Sequence, residues 1–178
     1  MHAHLGFLLC LLTAAGGASA QSGMLSLDGQ IVSYTCSVSA NGGSTGDALI
    51  QLPKVASASL QNPGQRASAT PFSIVVGSAA QPCMAASVAA RWDGSGAGVD
   101  PDSGRLRNAT GAGMAAGVQL AVLNNEKQEI DLRNGTNSQS VSLVGGMATL
   151  DYFGEYYGAG NLMEGKVSAS TRYELDYR

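Results

Sequence analysis

The chain has 178 residues, 44% of them hydrophobic and only 13% charged, with a formal net charge of −3. That net charge and an even scatter of the ten basic residues argue against a nucleic-acid or anionic-lipid surface. Both histidines, His2 and His4, lie at the extreme N-terminus. If that end is removed, the commonest general base, the usual zinc ligand and every Ser-His-Asp arrangement go with it.

Residues 1–20 read as a cleaved secretory signal. A polar start is followed by the apolar run 5–12, and Ala18-Ser19-Ala20 has the small-x-small form of a peptidase site. The run is too short to span a bilayer. The mature chain then begins at Gln21 and holds about 158 residues, one domain's worth. Cys10 leaves with the signal, so Cys36 and Cys83 remain. An even pair in an exported chain reads as one disulfide, with two free thiols or a metal pair as the alternatives.

Residues 21–36, QSGMLSLDGQIVSYTC, carry the organising pattern. One parity reads Gly23, Leu25, Leu27, Gly29, Ile31 and the other Met24, Ser26, Asp28, Gln30. Period-2 alternation puts three large aliphatic side chains on one face of a strand. No hairpin signal follows to supply a neighbour before Asn41-Gly42-Gly43, so this arm needs a sheet edge elsewhere, on another molecule.

Residues 41–47 then read as a loop and residues 48–52 as a short strand stopped by Pro53. Asn62-Pro63-Gly64-Gln65 is a turn. Residues 71–76 alternate, with Phe72, Ile74 and Val76 on one face. Residues 84–92 suit a helix by alanine content, but Val88, Ala90 and Trp92 fit period 2, and the strand-rich surroundings favour a strand. Residues 93–108 form a loop.

In the second half, residues 118–123 and 129–132 read as strands around a turn at 124–127, with another turn at Asn134-Gly135. Residues 148–157 place Leu150, Tyr152, Gly154 and Tyr156 on one face, and Gly158-Ala159-Gly160 is expected to break the strand. The last strand, 167–178, aligns Val167, Ala169, Thr171, Tyr173, Leu175 and Tyr177. Many short strands with no long helix predict an all-β sandwich.

Candidate chemistry is sparse. Asp100-Pro101-Asp102-Ser103-Gly104 lacks the remaining acidic positions of a calcium loop and reads as a plain turn. Asp151, Glu155, Glu174 and Asp176 offer carboxylates of the kind a glycosidase pairs, yet they fall on the polar parity of strands and read as solvated faces. Tyr152, Tyr156 and Tyr157 suit sugar stacking and core packing alike.

Taken together, the ends of the chain resemble the structural subunits of chaperone–usher fimbriae, the type 1 pilin family of Gram-negative bacteria. The resemblance rests on Gly29 seven residues before Cys36, on Leu52-Pro53, and on Phe72-x-Ile74-x-Val76 leading to Cys83. Gly117-Val118-Gln119-Leu120, Tyr152-x-x-x-Tyr156, Gly165 fourteenth from the end and the penultimate Tyr177 complete it. In the expected mature chain only two residues precede Gly23, fewer than in many major shaft pilins and closer to minor tip-fibre subunits.

The resemblance implies an incomplete immunoglobulin-like sandwich that lacks its last strand and is completed by a donor strand from another subunit. It implies a signal at 1–20, a donor-strand extension at 21–35 carrying Gly23, Leu25, Leu27, Gly29 and Ile31, and a pilin domain at 36–178. Gly165, Tyr173, Leu175, Tyr177 and Arg178 then form the edge offered to a chaperone or donor strand. The partners would be a periplasmic chaperone, an outer-membrane usher and other pilin subunits, with no cofactor and no nucleic acid. The expected role is a structural, non-enzymatic subunit, exported to the periplasm and assembled into an extracellular fimbrium for cell adhesion. The alternative is an adhesin or minor tip or adaptor subunit that binds a host glycan.

Overall fold

The computed structural model describes residues 36–178, so the expected signal and arm lie outside the described residues. Eight strands form two antiparallel sheets. They are β1 (Val38–Ala40), β2 (Arg66–Val76), β3 (Ser87–Trp92), β4 (Leu106–Arg107), β5 (Ala116–Leu123), β6 (Ser140–Ser142), β7 (Ala148–Met163) and β8 (Tyr173–Tyr177). One sheet has the order β1-β2-β7-β5-β4 and the other β6-β3-β8.

The alternation read from the sequence sets which faces meet. Ile74 and Val76 of β2, Val88, Ala90 and Trp92 of β3, and Leu150 and Tyr152 of β7 are all buried in one core. Tyr152 is its centre: Phe72 stacks on one side with ring centroids 5.4 Å apart, and Trp92 meets it edge-on, also at 5.4 Å. Such offset and edge-on pairs add to what burial alone contributes. Residues 84–92 thus supply a strand, as period 2 indicated, despite their alanines.

Cys36 and Cys83 are bridged, with their Cα atoms 4.9 Å apart. The bond ties the start of the described chain to the β2–β3 connection. Closing a loop of this length restricts the unfolded chain by roughly 4 kcal/mol.

Pro71 lies inside β2, and the register explains how. The Ser73 carbonyl accepts from Asn41 and the Gly77 N–H donates to Ser37, so odd positions of β2 face β1. β1 stops at Ala40, opposite Ile74, so the missing N–H of Pro71 faces an edge without a described partner.

Several elements differ from the sequence expectation. β2 starts at Arg66, beyond a register shift between Ala67 and Thr70 where Ser68 takes φ 60°. Residues 48–52 form no ladder strand, although their composition suits one. β7 does not break at Gly158: the strand runs to Met163, and Gly158 exchanges backbone hydrogen bonds with Gly64 and Gln65. The glycine serves a close approach instead, since a Cβ there would stand 2.6 Å from the Leu60 carbonyl oxygen. Residues 129–132 make only isolated bridges, though Ile130 and Leu132 are buried. β4 lies inside the expected loop 93–108. The last strand is confined to Tyr173–Tyr177.

Candidate strand-acceptor cleft

β8 is the edge of its sheet, paired with β3 on one side only. Arg178 donates to the Ser87 carbonyl and accepts from the Ser87 N–H, and the Arg172 carbonyl accepts from Asp93. In an antiparallel ladder such bonded pairs alternate with non-bonded ones. Even positions therefore bond to β3, and the N–H and C=O groups of Tyr173, Leu175 and Tyr177 point to the outer edge. No strand among the described residues pairs there.

The parity persists upstream, where the neighbour changes. Lys166 donates to the Gly113 carbonyl and accepts from Ala115, while Ser168 accepts from Ala109 and donates to the Asn108 side chain. Even positions again take the inner partners. Among the described residues Val167, Ala169 and Thr171 make no backbone–backbone hydrogen bond. The six residues predicted to share a face thus also share an unpaired backbone edge, although only the last three belong to a regular strand.

Their side chains flank the core. Ala169, Tyr173, Leu175 and Tyr177 are partly buried against it. The Tyr173 hydroxyl donates to the Gly46 carbonyl at 2.6 Å, and its ring lies 5.8 Å from that of Trp92. Burial raises the phenol pKa of both Tyr173 and Tyr177, with the carboxylate of Asp47 contributing at Tyr173. Arg178 is different: its carbonyl accepts from Ala86 and Ser87, while its guanidinium reaches out to Asp176 at 3.1 Å.

A second unpaired run lies at 48–55, where no backbone–backbone hydrogen bond is made to the described residues. This run and the chain that follows it cross β7 where glycines make room. Leu52 comes 3.8 Å from the Cβ position of Gly154, and Leu60 passes Gly158 as described above. Between residues 54–60 and 162–167 lies a cleft of about 740 Å³ with Val118 and Tyr156 among its lining residues.

Gly165 stands on this cleft and not on β8. A Cβ would sit 2.5 Å from the Ala115 nitrogen and 2.6 Å from the Met114 carbonyl carbon, so only glycine fits without a shift of backbone. Of the predicted edge residues, the structure brings Tyr173, Leu175, Tyr177 and Arg178 together and places Gly165 at the far end of the same segment. The predicted donor residues Gly23, Leu25, Leu27, Gly29 and Ile31 lie outside the described residues. The opposite rim, Val55 and Leu60, was not singled out from sequence. Its signal was Gly154 and Gly158, glycines on the same parity of β7 as Leu150, Tyr152 and Tyr156.

The remaining polar candidates are spent on structure. Asp100 accepts from the backbone of Asp102 and Ser103 and from Arg107, and these bonds lower its pKa. Arg133 binds Asp131 and also the carbonyls of Pro101 and Asp102, pinning two loops together. Glu155 pairs with Arg66 at 2.8 Å. Glu129 bridges Arg66 and Arg105, and Arg105 lies 3.5 Å over the Tyr157 ring. Glu174 and Asp176 are surface partners of Arg91 and Arg178. The three tyrosines form no shared platform: Tyr152 is in the core, Tyr156 is in the cleft and Tyr157 is under Arg105. Among the described residues no group of three His, Cys, Asp or Glu side chains is placed to hold a metal.

A sandwich with two unpaired backbone runs, whose near ends at Val55 and Val167 line one cleft, is one strand short. The family profile described as "Fimbrial protein" matches residues 25–178. The major fimbrial subunit SMF-1 of Stenotrophomonas maltophilia is 33% identical, over 94% of this chain and 99% of that protein. The F17 fimbrial protein of Escherichia coli is 30% identical, over 97% of each. Among solved structures, a subunit of a chaperone–usher pilus studied for rod uncoiling superposes with a TM-score of 0.62. It covers 92% of this chain and all of that one at 18% identity, a likeness of fold. The chain belongs to the fimbrial protein family and is a structural pilin.

Proposed function

We propose that this pilin polymerises by donating residues 21–35 to the open edge of a second copy and by accepting the equivalent strand from a third. The observation that carries the reading is the continuous parity of 167–177, whose odd positions combine unpaired backbone groups with side chains turned toward the core. Strand addition of this kind has chaperone–pilin pairs as its type example: main-chain bonds give affinity and alternate side chains give register. The arm's Leu25, Leu27 and Ile31 match that demand, and burying them would contribute roughly 5–9 kcal/mol before ordering costs.

An unpaired edge of this length is an aggregation hazard in a free monomer. The subunit therefore needs a periplasmic chaperone that lends a strand until an outer-membrane usher passes it to the growing fibre. Its role is structural and not enzymatic, in an extracellular fimbrium that supports adhesion. Glu155, Glu174 and Asp176 are consumed by ion pairs and Asp151 is exposed to solvent, which supports that reading.

The test uses chaperone-bound subunit mixed with synthetic peptides of residues 21–34, native or carrying Gly29→Leu. Chaperone release is followed by gel shift. Native peptide should displace the chaperone over hours to days, and the substituted one markedly more slowly, because a glycine on the apolar parity marks a close approach of acceptor backbone. Equal rates would remove the role given to Gly29. No displacement by either peptide would count against the arm as donor.

A further inference from the structure

We infer that the charge-poor end of the domain around the Cys36–Cys83 bridge is a docking face for a second copy of this chain, namely the subunit that receives this chain's arm. The inference rests on the strand-donation reading and adds a rigid contact to it.

Three of the large exposed hydrophobic side chains gather at this end: Met84 is 76% exposed, Val144 79% and Met147 42%. They are held in place by backbone. Val144 and Met147 exchange hydrogen bonds of 2.8 and 3.2 Å, and the Gly146 carbonyl between them accepts from Cys83 at 2.8 Å. Gly146 takes φ +76°, and a Cβ there would stand 2.9 Å from the Pro82 Cα, so this turn is pressed onto the chain leading into the bridge. The Gly77 N–H donates to Ser37 at 2.8 Å, which brings the root of the arm to the same place. A fixed apolar cluster of this kind, with adaptable methionines, is the usual mark of an interaction site.

Charge points the same way. The segments that build this end, 36–46, 75–90 and 140–150, contain no Asp, Glu, Lys or Arg, although the chain has 23 such residues elsewhere. Arg178, held by Ala86 and Ser87 and turned toward Asp176, stands at the rim. Depletion of charge distinguishes the centre of an interface from ordinary surface.

The tether decides the occupant. Four residues separate Ile31 from Cys36, so even fully extended they allow about 17 Å between the last seated arm residue and the bridge. Once the arm lies in an acceptor, the bridge is held within that reach of the acceptor's surface, and the Met84–Val144–Met147 face adjoins the bridge through the Cys83–Gly146 hydrogen bond. A second copy is therefore present beside this face in every assembled fibre, whichever way the arm runs.

Methionine oxidation reads the burial directly. The mature chain is assembled into polymers, and the two-subunit species is separated from longer ones. Dilute hydrogen peroxide is applied to each and to monomer completed by the arm peptide, and oxidation at Met84 and Met147 is followed by mass spectrometry. In the two-subunit species half of each methionine should oxidise several-fold more slowly than in the peptide-completed monomer, and in long polymers nearly all should. Equal rates in monomer and polymer would overturn the docking face while leaving strand donation intact. Protection confined to long polymers would also overturn it, by assigning the patch to lateral contacts. If the chain does not polymerise and the arm peptide does not bind, the donation reading fails and the docking face fails with it.

Discussion

At the scale of residues, Tyr152 shows how one side chain serves core and edge together. It is completely buried between Phe72 and Trp92, and Trp92 passes the contact on to Tyr173 of the open strand. Burial pushes its phenol up to about 12 from 10.0, and it raises Tyr156, Tyr173 and Tyr177 as well. The folded state therefore keeps protons that the unfolded chain loses first. Stability from these groups is complete below about pH 10 and falls as pH rises toward 12. An absorbance titration of phenolate in the native subunit, against the same protein in denaturant, should show delayed ionisation of Tyr152 and its neighbours. Superimposable curves would contradict the packing described for them. Phe72, Ile74, Val76, Val88, Ala90, Trp92, Leu150 and Tyr152 were legible as one inner face because strict alternation leaves each only one side to occupy. The glycines at 158 and 165 were not, since sequence cannot tell a glycine that breaks a strand from one that admits another backbone.

At the scale of elements, the C-terminal segment matters most. Its parity was readable over 167–178, but its change of partner, from residues 108–115 to β3, was not, because such a switch leaves the period unaltered. The two- and three-residue strands β1, β4 and β6 are too short to carry any period and owe their pairing to longer neighbours. Residues 48–52 have the composition of a strand, yet among the described residues no backbone completes one. That absence is what an unfilled strand position would produce. Parity also predicts mutational behaviour. Leu175→Asp, on the inner face, should sharply lower the yield of subunit–chaperone complex recovered from the periplasm. Glu174→Ala and Asp176→Ala, on the outer face, should leave that yield unchanged. Losses of the same size from all three substitutions would mean that the faces have been assigned the wrong way round.

At the scale of the whole molecule, the chain is a sandwich whose interior is completed from outside. The disulfide fixes Cys36 to the β2–β3 connection, so in the proposed assembly the donating arm is anchored to the domain that accepts. Donor and acceptor are then separate parts of one subunit, and removing one should spare the other. The direct measurement deletes residues 21–31 and follows the ladder of species that resists detergent when unheated. Intact chain should form the ladder. The deleted chain should form none by itself, yet it should still bind its chaperone and appear once per ladder, as a terminal acceptor, when mixed with intact chain. A ladder formed by the deleted chain alone would contradict the account.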